Sequence, residues 1–226
     1  RGPVPAAQAP APSAAHSFRE FLIEIGTIIC GILIALALEQ AVEAGRIRRE
    51  VSEAREALHA EMAGDLAVAN NWIRAQPCWL RAADAAGAWA AGTGPRPTFP
   101  SGLLSGYQTT VWEMTKSGPV THMPLEERLA LARFYGGIAT EGTVIERHRE
   151  FATEAGGYLS QSKLAPEQAR DLARLAGQIS WMARVEAQND RGLLETGARL
   201  GLKPAAPDAA RLARIDAFCK AFPAEG

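Results

Sequence analysis

The sequence predicts an all-α protein in which one N-terminal transmembrane helix continues into a stalk and is followed by an antiparallel helical bundle. Three observations carry that reading. Phe21 to Leu38 is an apolar run interrupted only by Glu24 and the mild polarity of Thr27, long enough to cross bilayer hydrocarbon. Beyond it, apolar residues recur at helical spacing over several long stretches. β-Branched residues are sparse while alanine, leucine, arginine and glutamate recur throughout, which favours helix over strand.

Residues 1–16 form a Pro/Ala-rich tail with too few large apolar side chains to build a core, so it is expected to be extended and to become ordered only against a partner. The chain begins with Arg1 and not Met, from which processing or further residues upstream are expected. The membrane helix is placed at 17–40. Ser17-Phe-Arg-Glu20 has the spacing of a capping box, a helix start in which serine and glutamate satisfy free backbone amides. A soluble core helix would show an apolar stripe, whereas apolar side chains here cover every face. Ala35-Leu36-Ala37 resembles a signal-peptide cleavage site, but the segment is read as a retained anchor.

An amphipathic stalk is expected over 41–76, where Ile47, Val51, Ala54, Leu58, Met62, Leu66, Ala69 and Ile73 fall at helical spacing, flanked by Arg46/Glu50 and Arg49/Glu53 pairs. Gly64 is a place to bend and Pro77 the residue expected to break it, because proline lacks the amide proton and clashes with the preceding turn. The soluble helical domain is then 77–226. A second helix is expected over Cys78 to Ala91, an irregular Gly/Pro-rich loop over 92–106, and a short helix from Tyr107 to Lys116. Three later helices are expected to open on a proline with acids in the first turn: Pro124 with Glu126 and Glu127, Pro166 with Glu167, and Pro207 with Asp208. The stripes Leu131, Phe134, Ile138, Ile145 and Leu172, Leu175, Ile179, Met182, Val185, Leu193, Thr196, Leu200 supply the packing faces.

The run Phe18-Arg-Glu-Phe-Leu-Ile-Glu-Ile-Gly, with Gly31-Ile-Leu-Ile-Ala-Leu and Glu39-Gln40 after it, resembles the anchor of uncharacterised bacterial single-pass membrane proteins that carry a helical domain behind one span. Trp112-Glu-Met-Thr-Lys-Ser-Gly118 and Met123-Pro-Leu-Glu-Glu-Arg-Leu-Ala-Leu-Ala-Arg-Phe-Tyr135 are similar to the middle of that domain. The resemblance covers about a third of the chain. It implies the architecture, a bacterial inner membrane and a domain outside the cytoplasm, and brings no activity with it; the Pro/Ala tail departs from the family's short basic N-terminus.

Within the span, Glu24, Thr27, Gly31 and Ala35 share one helix face. Small residues allow a second helix to approach, and a carboxyl group facing lipid is costly, so this is the expected contact face for a partner helix or for self-association. The alternative leaves Glu24 at the interface or protonated. Orientation is contested: Arg46, Arg48, Arg49 and Arg55 follow the span while Arg1 and Arg19 precede it, which by charge count holds the domain in the cytoplasm. The resemblance implies the periplasm, and that is the expectation adopted. There Cys78 and Cys219 could pair as a disulfide or remain two buried thiols, with Cys30 unpaired in the membrane.

No catalytic, metal or cofactor set emerges. His16, His59, His122 and His148 lack metal-ligand spacing. Ser101, Ser105 and Ser117 sit in glycine turns and not in a nucleophile elbow, and Gly92-Thr-Gly94 is no phosphate loop. Trp72, Trp79, Trp89, Trp112 and Trp181 are read as core or interface, with a ligand cavity as the alternative. A formal net charge of -1, from 24 basic and 25 acidic residues, leaves nothing to attract nucleic acid. The expected function is a non-enzymatic accessory or scaffold subunit that contacts the lipid bilayer and docks through span and tail onto a larger membrane complex, an energy-transducing one being the class envisaged. A sensor-like small-ligand-binding membrane protein is the alternative, and an enzyme comes third.

Overall fold

A computed structural model describes residues 14–99 and 106–223, with side chains from Phe18 onward. Every regular element among the described residues is helical: α1 (Ala14–Ala90), α2 (Thr110–Thr115), a 3-10 turn (Pro119–His122), α3 (Leu125–Leu159), α4 (Pro166–Arg199) and α5 (Ala209–Ala221). The chain divides into two units, Arg1–Glu50 and Val51–Gly226.

In the first unit α1 runs from Ala14 among the described residues, ahead of the expected start at Ser17; residues 1–13, on which the ordered-tail expectation falls, lie outside the described residues. One window of this helix is long and apolar enough to cross a membrane, and none of that window is buried within the fold. Phe21, Leu22, Ile23, Ile28, Leu33 and Leu38 are all exposed. Thr27 Oγ1 donates to the Ile23 carbonyl at 2.8 Å, so the one hydroxyl in the run satisfies itself along the helix. Past the run, Arg46 bridges Glu43 and Glu50, each at 2.5 Å.

In the second unit the helix continues where a break was expected. Pro77 lies inside α1, a 77-residue helix that also passes Gly64 uninterrupted. The reason is positional. Pro77 is exposed, so the carbonyl it leaves without a donor can be hydrated, while Ala75, Cys78, Trp79 and Ala82 on the opposite face are buried and hold both sides of the proline in one register. The expected stalk and second helix are therefore a single element. From Ala54 onward it is no free stalk: Leu58, Met62, Leu66 and Ala69 are almost completely buried, each large side chain contributing roughly 1.5–3 kcal/mol of transfer free energy.

Inter-helix contacts give the topology. Gly137 faces Leu193, Asn189 donates to Glu141, and Arg174 lies 3.7 Å from Glu154, so α3 and α4 form an antiparallel hairpin. Arg55 pairs with Glu127, Tyr135 donates to Glu61, and Trp79 packs on His148, which sets α1 parallel to α3 and hence antiparallel to α4. Arg74 with Asp216, Cys78 with Cys219 and Arg81 with Phe222 place α5 parallel to α1.

Pro166 opens α4 at its first residue, and Pro124 caps α3. Pro207 lies two residues before its helix, which starts at Ala209: Asp208 is the cap of α5 and accepts from the Ala210 amide at 2.9 Å. The short helix expected from Tyr107 is confined to Thr110–Thr115. Gly92 and Gly201, both at φ 72°, close α1 and α4 with left-handed turns that no β-carbon tolerates well.

The core has two apolar layers. One joins Leu58, Met62 and Leu66 to Phe134, Ile138 and Leu193; the other joins Trp72, Trp79 and Ala83 to Ile145, Leu172, Ile179 and Phe218. α4 can lie this close to α1 because Gly197 has no side chain: a β-carbon there would sit 2.5 Å from Leu66 Cδ1. Gly197→Ala is expected to lower unfolding free energy by about 1–3 kcal/mol in denaturant titration; a neutral or stabilising result would show that the helices separate without cost.

Candidate functional site

Threaded through both apolar layers is a set of buried polar groups, called the polar layer below, that the sequence reading missed. Glu61 and Asp65 on α1, Glu141 and His148 on α3, and Glu186 and Asp190 on α4 are all buried, Glu141, His148 and Asp190 completely so. Each pair of acids sits at i, i+4 and points the same way as the apolar stripe of its helix, next to Met62 and Leu66 or to Met182, Ala183 and Leu193. That spacing was the available signal. A search aimed at metal spacing and nucleophile elbows passes over acids embedded in a core stripe.

The acids meet mostly neutral donors. Glu61 accepts from the amides of Val111 (2.7 Å) and Trp112 (3.2 Å) and from the Tyr135 hydroxyl (2.8 Å). Asp65 accepts from the Gln108 amide at 2.8 Å, and the Tyr107 hydroxyl donates to Asp190. Asn189 Nδ2 donates to Glu141 at 2.7 Å. His148 Nδ1 lies 2.8 and 2.9 Å from the two oxygens of Glu186. The acids thus fasten the segment from Tyr107 to Trp112, whose Tyr107, Val111 and Trp112 also pack against the core, across α1 and α4.

Burial sets the protonation of Asp65, Glu141 and Asp190. It pushes Asp65 up to about 7, against the stabilising Gln108 amide and with help from the charge on Glu61. Glu141 rises to about 7 by burial, opposed by the Asn189 hydrogen bond and reinforced by Glu186. Asp190 rises to about 8, again mainly by burial, with Tyr107 opposing and Glu141 and Glu186 adding to it. Burial also pushes the phenols of Tyr107 and Tyr135 upward, followed by the Asp190 charge for the first and the Glu61 hydrogen bond for the second. The layer therefore stores protons near neutral pH. Asp65 Oδ2, Glu141 Oε1, Asp190 Oδ2 and His148 Nε2 have no hydrogen-bond partner among the described residues, and no group of three His, Cys, Asp or Glu side chains there converges to hold a metal ion.

Beside this layer is a cleft of about 540 Å³ between the Tyr107–Glu113 segment and α3, floored by Gly136, Ala139 and Gly142. Trp112 stacks on Tyr135 along one wall, centroids 4.7 Å apart and planes 7° from parallel. The other tryptophans line no comparable space: Trp72 and Trp79 belong to the filled core, Trp89 packs against it, and Trp181 is exposed.

The residues singled out from sequence lie elsewhere. Glu24, Thr27, Gly31 and Ala35 share an exposed face of α1, and a β-carbon at Gly31 would meet nothing within 4 Å. Cys78 and Cys219 are joined as a disulfide with Cα atoms 5.0 Å apart, and Cys30 is free and exposed. His59, His122 and Ser117 are exposed, the His16 side chain is not described, and Ser101 and Ser105 lie outside the described residues. No protein-family model, curated protein or solved structure matches the chain.

Two outcomes test the polar layer. The folded state holds Asp65, Glu141 and Asp190 protonated at pH values where the unfolded chain has released those protons, so stability falls as pH rises from about 5 through 8. Thermal midpoints are expected to drop across that window and Asp190→Asn to flatten the drop; a parent midpoint that rises with pH would contradict the assignment. Glu61→Ala strands two amides and a tyrosine hydroxyl and is expected to cost about 2–4 kcal/mol in denaturant unfolding, whereas a cost under about 0.5 kcal/mol would show that the clasp contributes little.

Proposed function

We propose that this is a non-enzymatic accessory or scaffold subunit, held by α1 in a bacterial inner membrane, whose helical bundle docks with the span onto a larger membrane complex. One observation carries the reading: an apolar helical window long enough to cross a membrane has no buried residue among the described residues. Exposed apolar surface on that scale is stable only against lipid or other apolar helices. Glu24, Thr27, Gly31 and Ala35 are the face offered to a neighbouring helix, where a carboxyl group and small residues gain most from a partner.

The bundle supports a stabilising and positioning role. Glu61, Asp65, Glu141, His148, Glu186 and Asp190 are buried and taken up in hydrogen bonds that hold the bundle together. The disulfide between Cys78 and Cys219 favours the periplasmic side, because such bonds persist in oxidising compartments. A second reading, recognition of a small molecule, draws support from the cleft walled by Trp112 and Tyr135.

Mild-detergent purification of the full chain from its native membrane is the test. Accessory function is expected to give partner subunits in fixed stoichiometry and to lose them with Gly31→Ile and Ala35→Ile in the span. Recovery of the chain alone, or an unchanged complex with those variants, would remove the proposal.

A further inference from the structure

We infer that the Cys78–Cys219 disulfide is a redox latch on α5, so that a dithiol reductant frees this helix from α1 and uncovers the Trp79–His148 layer of the bundle. The bond joins residues 141 positions apart and is the covalent tie between the first and last helices of the second unit.

The remaining attachments of α5 are its apolar anchors, two arginine contacts from α1 and the contacts of its own partly buried Arg211. A helix of 13 residues has little stability in isolation. Its apolar anchors are Ile215, Phe218 and, at its end, Phe222. Arg74 reaches Asp216 at 2.8 Å, but both side chains are about half exposed, and such pairs stabilise little. The connection from α4 is non-helical and mostly exposed, pinned to α1 where the Ala205 amide donates to the Ala63 carbonyl at 2.8 Å. From that pin the disulfide closes a loop of about fifteen residues, and its loss is expected to favour local opening by roughly a hundredfold.

The surroundings of the bond suit exchange. Cys78 is buried whereas Cys219 is only partly so, so an incoming thiolate meets Cys219 Sγ first. The sulfur–sulfur bond then breaks with its electron pair on Cys78 Sγ, where the Arg81 guanidinium, 3.5 Å away, stabilises the departing thiolate. The second thiol of the reductant displaces Cys219, leaving two protein thiols and an oxidised reductant. Arg81 also donates to the Phe222 carbonyl at 2.5 Å, so one side chain contacts both the bond and the end of the helix it secures.

What α5 covers is specific. The Phe218 ring lies 5.0 Å from Trp79, and Trp79 lies 4.7 Å from His148, which holds Glu186. A small cavity bounded by Trp72, Trp79, Arg211 and Ile215 sits directly beneath the helix. Departure of α5 therefore hydrates two tryptophans and opens a path toward the buried acids.

Hydrogen exchange read by mass spectrometry on the full chain in lipid nanodiscs, in a Cys30→Ser background, tests the latch. Oxidised protein is compared with protein treated with dithiothreitol, thiol mass-tagging confirming reduction. Amides of Ala209 to Ala221 are expected to lose roughly a hundredfold of protection while α3 and α4 keep theirs, with tryptophan emission shifting to the red. Unchanged protection in verified reduced protein would overturn the inference, as would equal loss across all helices, which marks a general staple, or failure of the dithiol to reduce the folded protein. The doubly substituted Cys78→Ser, Cys219→Ser chain is expected to reproduce the reduced pattern without reagent.

Discussion

The constraint on which the rest depends is that the apolar stretch of α1 is left unburied among the described residues. Each exposed isoleucine, leucine and phenylalanine there represents on the order of 1.5–3 kcal/mol of unfavourable hydration, and the window passes the length and composition test for crossing a membrane with none of it buried. A soluble bundle of this size had alternatives, since amphipathic helices can fold back on a core. Here apolar groups occupy all faces of the helix, and folding back would leave half of them in water.

The same helix also supplies the first element of the bundle, and this is where sequence and structure part company. The stripe from Ala54 through Ala69 was legible because its 3.6-residue period is unbroken. The continuation past Pro77 was not, because a proline's local effect depends on which way it faces. On the exposed side its lost hydrogen bond can be replaced by water; the buried Ala75, Cys78, Trp79 and Ala82 then decide the path of the backbone. Local propensity was overruled by packing that no single-sequence rule encodes. The helix starts at Pro124 and Pro166 were legible for the opposite reason, since proline there acts only through its own fixed backbone angle.

The polar layer was illegible for a different cause. Asp65, Glu141, Glu186 and Asp190 look in sequence like ordinary surface acids among arginines and alanines. Their burial follows from the packing of α1, α3 and α4 along the bundle, and the one local sign of it was the i, i+4 spacing of acids within the core stripes of α1 and α4. Once placed, the layer explains how the backbone amides and the Tyr107 hydroxyl of the Tyr107–Trp112 segment are held, and why protons bind there near neutral pH. The pairing of Cys78 with Cys219, left open between disulfide and thiols from sequence, followed from the same kind of register, with α5 lying alongside α1.

Cys30 offers the most direct test of membrane residence, because it is a free, exposed thiol in the middle of the apolar stretch while Cys78 and Cys219 are bonded to each other. The measurement is the rate at which a charged, water-soluble maleimide labels Cys30 in intact native membranes and after the same membranes are dissolved in denaturant. A span surrounded by hydrocarbon predicts almost no labelling before dissolution and rapid labelling after it. Equal rates in both conditions would contradict it.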